Sequence, residues 1–222
     1  MRDAIKTFMH NGLTVKIHHD TDPVNPIKDY DVLSTLLCWH RRYDLGHERI
    51  EQMTAKEVIR RYRNVGEKVL AILPLYLYDH SGITMNTTGF SCGWDSGQVG
   101  WAVVTRTSAE AMGCVGVHHN HVRNADGTHT AVEDGTWDKA RLEEGIRQDV
   151  ESYDHYLTGE CYGYVIEGRD GDELASCWGF LGDMESNCVE EAKSATIGLE
   201  DPAVVADREE LAGRATFAGV SP

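Results

Sequence analysis

From Trp137 to Leu157 the apolar residues Leu142, Ile146, Val150, Tyr153 and Leu157 follow one another in steps of four, four, three and four. At 3.6 residues per turn this places them in one stripe along a helix. A helix that is apolar on one side must bury that side against another layer, and much of the remaining chain offers β-type segments for it. Leu13 to His19 alternates apolar and polar residues as a half-buried strand does, and Asp20 to Pro26, with two prolines, ends it. Leu75 to Tyr78 and Val99 to Thr105 read as strands, with Ile83 to Thr87 pairing back on the first. Cys161 to Glu167 and Leu174 to Gly179 read as a hairpin turned at Gly168-Arg169-Asp170-Gly171-Asp172. The fold class expected is α+β, a mixed or antiparallel sheet with helices packed on one face.

Further helices are expected along the chain. Val32, Leu33, Leu36, Leu37 and Trp39 suit a helix from Asp29 to Arg42, with Asp29 or Asp31 as its cap and His40, Arg41 and Arg42 in its last turn. Thr54-Ala55-Lys56-Glu57 has the spacing of a capping box, so a helix starts at Thr54 and runs to about Asn64. Pro74 interrupts the run from Val69 to Tyr78, and Met184 to Ala195 forms a short helix. Cys114 to Thr136 has little periodicity and reads as a long loop. The organisation expected is a single α+β domain over residues 1–182, carrying a His-rich loop at about 114–135, followed by a C-terminal helix or tail over 183–222.

Thirty-six acidic and twenty-one basic side chains give a formal charge of −15, which disfavours broad contact with nucleic-acid phosphates or anionic lipid. Direct nucleic-acid binding and membrane association are therefore not expected, and no run reaches the roughly 18 apolar residues of a membrane span. The six cysteines include no Cys-x-x-Cys pair, which points to reduced thiols and a cytoplasmic location.

Two polar stretches concentrate chemistry: Tyr78-Asp79-His80-Ser81-Gly82, and Cys92-Gly93-Trp94-Asp95-Ser96-Gly97-Gln98. An enzymatic reading uses Cys92 as nucleophile, His80 as general base, Asp79 or Asp95 to orient the imidazole, and Gln98 as oxyanion donor. A thiol attacks as thiolate, an adjacent imidazole promotes that form, and a carboxylate fixes the tautomer. Against this, Asp79, Ser81, Asp95 and Ser96 are also ordinary turn-capping residues. A metal reading takes His118, His119 and His121, with Cys114, His129 and Glu133 nearby, as nitrogen, sulfur and oxygen ligands suited to zinc. A third reading is a binding module, in which Trp39 and Trp94 are aromatic anchors beside His40, Arg41, Arg42 and Ser96.

Several strings carry a resemblance: Cys38-Trp39-His40-Arg41-Arg42-Tyr43, the run from Leu73 to Thr84, Trp94-Asp95-Ser96-Gly97-Gln98-Val99-Gly100, Tyr156-Leu157-Thr158-Gly159, and Ser176-Cys177-Trp178-Gly179-Phe180. Over roughly residues 13 to 182 the chain resembles a family of uncharacterised proteins carried by phages, prophages and other mobile elements. The histidine stretch and the residues after about 183 depart from the family's pattern. The resemblance implies an accessory phage-type product in a host cytoplasm. Together with the charge, it favours an acidic binding module acting on a host or phage protein in counter-defence or replication. A Cys92/His80 hydrolase-type or transferase-type enzyme and a histidine-loop metal protein are the alternatives.

Overall fold

The computed structural model describes residues 3–114, 118–123, 129–134 and 137–218, of which 118–123, 129–134 and 213–218 are described as backbone. The expected α+β class is what the chain adopts. Its contacts divide it into two compact units, Met1–Val24 with Gly159–Pro222, and Asn25–Thr158, where the sequence reading drew one domain over 1–182 and a tail. Among the described residues no helix is long and apolar enough to cross a membrane.

The first unit is built on a four-stranded antiparallel sheet in the order β1 (Lys6–His10), β2 (Leu13–His19), β10 (Cys161–Glu167), β11 (Glu173–Leu181). Strand β1 was not expected, although its signal was present. Asn11-Gly12 is a two-residue hairpin loop with both φ angles positive, at 50° and 81°, the conformation that Asn-Gly favours. Leu13, Val15, Ile17, Tyr164 and Ile166 form one face of this sheet and bury Cys188, Val189 and Ala192. Those three come from a π-helical segment, Met184–Val189, and from α4 (Glu190–Ala195), the short helix expected there. The last helix, α5, spans Pro202–Ala218.

The second unit holds a mixed five-stranded sheet in the order β4 (Glu48–Arg49), β3 (Thr35–Cys38), β7 (Ser96–Thr105), β5 (Val69–Asp79), β6 (Ile83–Asn86). Only the β3–β4 pair is parallel. Helix α3 (Lys139–Thr158) lays Leu142, Ile146, Val150 and Tyr153 against Leu36, Leu75, Leu77, Ala102 and Val104. Helix α1 (Ala55–Asn64) presents Val58 to Leu37, Ile50 and Val103. Helices thus cover both faces of this sheet. The capping box of α1 forms as its spacing predicts, with Thr54 and Glu57 bonded reciprocally. A short α2 (Arg106–Ala111) follows β7.

Three expectations need correction. The segment read as a helix from Asp29 to Arg42 contains strand β3 instead. Leu36 and Leu37 are both fully buried but face different cores, so the unbroken apolar run marks a strand covered on two sides rather than a helical stripe. Pro74 does not interrupt β5, which runs through it opposite Trp101. Strand β6 begins pairing only at Tyr76, so β5 is still an edge at Pro74, where a missing N–H is tolerated. The supposed loop at 114–135 contains an antiparallel pair, β8 (His118–Arg123) and β9 (His129–Asp134). Strands this polar show no apolar alternation to read.

Candidate functional site

Strand pairing brings the two chemical stretches together. Tyr78 of β5 pairs with Thr84 of β6 and with Ser96 of β7, so the 80–82 turn and the 87–95 loop leave the same end of the sheet. The Asp79 N–H donates to the Asp95 carbonyl at 2.8 Å and extends that ladder by one rung. Between Leu75–Gly100 and Tyr76–Gln98 the register slips by one residue, which leaves Val99 as a bulge. The Val99 carbonyl accepts from the Trp39 N–H at 2.7 Å. This bond, with the Cys38–Gly100 pairing, guides the chain after β3 toward the site. Gly100 is required here, because an added Cβ would run into the Leu37 carbonyl oxygen.

Two separate carboxylate networks result. Asp79 is held by the Arg42 guanidinium and accepts from the Tyr43 hydroxyl at 3.1 Å. Tyr43 in turn stacks on His40, with ring centroids 4.9 Å apart and planes 5° apart. The His40 Nδ1 accepts the Arg42 and Tyr43 backbone N–H groups at 3.3 and 3.2 Å. Burial lowers the His40 pKa from its ordinary value; the Asp79 carboxylate opposes this, and Arg42, Arg41 and Arg49 add to it.

In the second network the Asp95 Oδ2 lies 3.3 Å from His80 Nδ1 and 3.9 Å from Cys92 Sγ. The Ser96 hydroxyl donates to the Cys92 carbonyl. The structure therefore brings Cys92, His80 and Asp95 together, in an order different from a nucleophile–base–acid relay. The group against the thiol is the carboxylate, and thiol activation calls for an imidazole or a cation there. Asp79 is turned to Arg42 and Tyr43 and does not orient His80. Gln98 donates its Nε2 to the Gly100 carbonyl on its own strand at 3.1 Å, which engages the proposed oxyanion donor.

The binding residues sort by exposure. Trp39 packs half-buried against the Leu37–Val58–Val103 core, so less of it is open than of Trp94. Arg41 is exposed. Trp94 is 97% exposed, and its loop is fixed on both sides. Asn86 Oδ1 accepts from the Thr88 and Gly89 N–H groups at 3.1 and 2.7 Å. Phe90 meets Tyr78 with ring centroids 5.7 Å apart. The sequence reading missed Tyr43, whose hydroxyl and ring tie His40 to Asp79; nothing in the local pattern marks it.

A separate open cleft of about 550 Å³ in the same unit is lined by Asp31, Leu33, Trp137, Arg141 and Asp149, among others. The Asp149 Oδ2 accepts from the Ser34 N–H and hydroxyl, both at 2.7 Å. Burial raises its pKa against the lowering effect of those bonds. The side chains of His118, His119 and His121 lie outside the described residues. Among those described, no group of three His, Cys, Asp or Glu residues could hold a metal ion. No family model matches the sequence, and neither a curated protein nor a solved structure matches it.

Proposed function

We propose that the chain is an acidic binding module, and that it grips a host or phage protein through the loop between β6 and β7 with Trp94 as the anchor. One observation carries this reading: an indole 97% exposed on a loop held by the Asn86 bonds, the Phe90–Tyr78 contact, the Ser96–Cys92 bond and the Asp79–Asp95 rung. An anchor that is already ordered loses little entropy on docking, and tryptophan is the residue type most enriched at binding hot spots. The −15 charge would steer a basic partner toward it. A Cys92/His80 enzyme is the second reading. It is favoured by Asp95 contacting both residues and weakened by the carboxylate lying against the thiol.

The test places a photo-crosslinking amino acid at position 94, with a control at Val65, which is 74% exposed, and irradiates each in host lysate. The expected result is one discrete adduct at 94 that is absent at 65 and fades with added salt. Equal labelling at both positions, or none at 94, overturns the reading. Trp94→Ala is expected to weaken the captured complex by about 2 to 4 kcal/mol.

A further inference from the structure

An edge strand presents unpaired N–H and C=O groups that will accept another strand unless the edge is blunted. The four-stranded and five-stranded sheets have four edges between them, and three are blunted. Strand β1 has five residues and carries Lys6. Strand β4 has two residues, both charged, and β6 has four, including Thr84 and Asn86. Strand β11 is the exception. It has nine residues, contains no proline, and its one charge is Glu173 at the start. Ser176 to Gly179 are exposed, and among the described residues no strand pairs with the outer side of β11. The regular stretch is Ala175 to Trp178, because the register slips at Leu174 and again at Gly179, whose φ is 90°. Trp178 lies across Gly163, at a place where a Cβ would collide with its ring. The indole is still 45% exposed, and it leans inward over β10 toward His18 of β2, with ring centroids 6.1 Å apart, away from the open edge.

Charge identifies the occupant. Asp172 and Glu173 precede the uncharged stretch and Asp183 follows it, all exposed; the neighbouring Asp170 and Glu185 are paired with Arg169 and Lys6. The unit that contains them has seventeen acidic and seven basic side chains. A second copy of this chain would bring the same excess of carboxylates to the contact and be repelled. We infer that β11 accepts an added strand from a partner protein: an extended segment with uncharged β-forming residues in its middle and Lys or Arg at its ends. Backbone hydrogen bonds along Ala175 to Trp178 supply the attraction, and the flanking carboxylates select the basic ends. This surface is distinct from the Trp94 loop, and either can hold without the other.

The test uses a fluorescein-labelled peptide, Lys-Lys-Val-Thr-Val-Thr-Val-Lys-Lys, titrated with the full chain and read by fluorescence anisotropy. The same peptide N-methylated at its valines and a Glu-ended version serve as controls. Saturable binding of the basic peptide is expected. N-methylation, which removes two or three backbone bonds, weakens it by at least about tenfold, and the Glu-ended peptide binds less. Ser176→Lys, with an unchanged circular dichroism spectrum, weakens the basic peptide similarly, and Trp94→Ala does not. Absence of binding up to about 1 mM, equal binding of the N-methylated peptide, or loss with Trp94→Ala instead of Ser176→Lys overturns the proposal. Self-association of the free chain that Ser176→Lys abolishes also overturns it, in favour of a second copy.

Discussion

Replacing Gly46 by alanine separates two physical demands that this fold places on glycine. Gly46 has φ 74°, and an added Cβ would sit 2.6 Å from the Leu36 carbonyl oxygen and 2.8 Å from Cys38 Sγ. A left-handed residue with a Cβ costs about 1 to 2 kcal/mol, and forcing an atom into a filled core costs about 1 to 3 kcal/mol. The Leu36 carbonyl cannot give way cheaply, because it accepts the His47 N–H at 2.8 Å and belongs to β3, an interior strand of the sheet. Alanine returns about 0.4 to 1 kcal/mol by restricting the unfolded chain, which leaves a net loss of about 3 kcal/mol. Two other positions isolate the contributions. Gly66 has φ 85° and open space around a Cβ, so Gly66→Ala should lose about 1 kcal/mol. Gly97 has open space and no positive φ, so Gly97→Ala should be neutral or gain up to about 1 kcal/mol. Guanidinium unfolding followed by tryptophan fluorescence ranks the three. With a slope of about 5 kcal/mol/M, Gly46→Ala moves the midpoint down by about 0.6 M. A Gly46→Ala midpoint indistinguishable from that of Gly97→Ala would refute the claim that this turn is closed tightly against β3.

Three further outcomes are expected. Thr54→Ala should remove the cap of α1 and lower stability by about 1 kcal/mol in the same unfolding assay, whereas no change would mean that the capping box is idle. His40 should titrate below 6.5 by NMR, since burial disfavours its charged form. Asp79→Asn should lower it further, because it removes the one neighbour that raises it; an upward shift would contradict the geometry. A histidine whose pKa is depressed by folding contributes stability above pH 6.5 that is lost as pH falls through its folded pKa. Iodoacetamide at neutral pH should modify exposed Cys177 first and leave Cys38, Cys161 and Cys188 untouched until unfolding. Burial pushes those three thiols up to about 12, 11 and 12. Alkylation of Cys92 far ahead of Cys177 would restore the nucleophile reading.

Much of the fold could be read locally, and the reasons differ by element. The α3 stripe, the Thr54 capping box and the 168–172 turn each place their own signal within a few residues, so pattern and structure agree. The Asn11-Gly12 turn was equally legible but overlooked. Strand β3 was misread because Leu36 and Leu37 serve two different cores, and burial on both faces erases the alternation that separates a strand from a helix. At the candidate site the sequence nominated Cys92, His80 and Asp95, and they do meet. Which group faces which was decided by the Tyr78–Ser96 pairing and by the Asp79–Asp95 rung, contacts between segments more than a dozen residues apart.

The sequence by itself determined the α+β class, the charge and the residue types that gather at the β5–β7 end of the sheet, because periodicity, composition and turn chemistry are properties of neighbours in the chain. Only the tertiary structure decided that Asp79 belongs to Arg42 and Tyr43, that Asp95 stands between the thiol and the imidazole, and that Trp94 is open while Trp39 is packed. Each of these depends on strand register and on which faces the helices cover, and sheet pairing sets both through contacts between residues far apart in the chain.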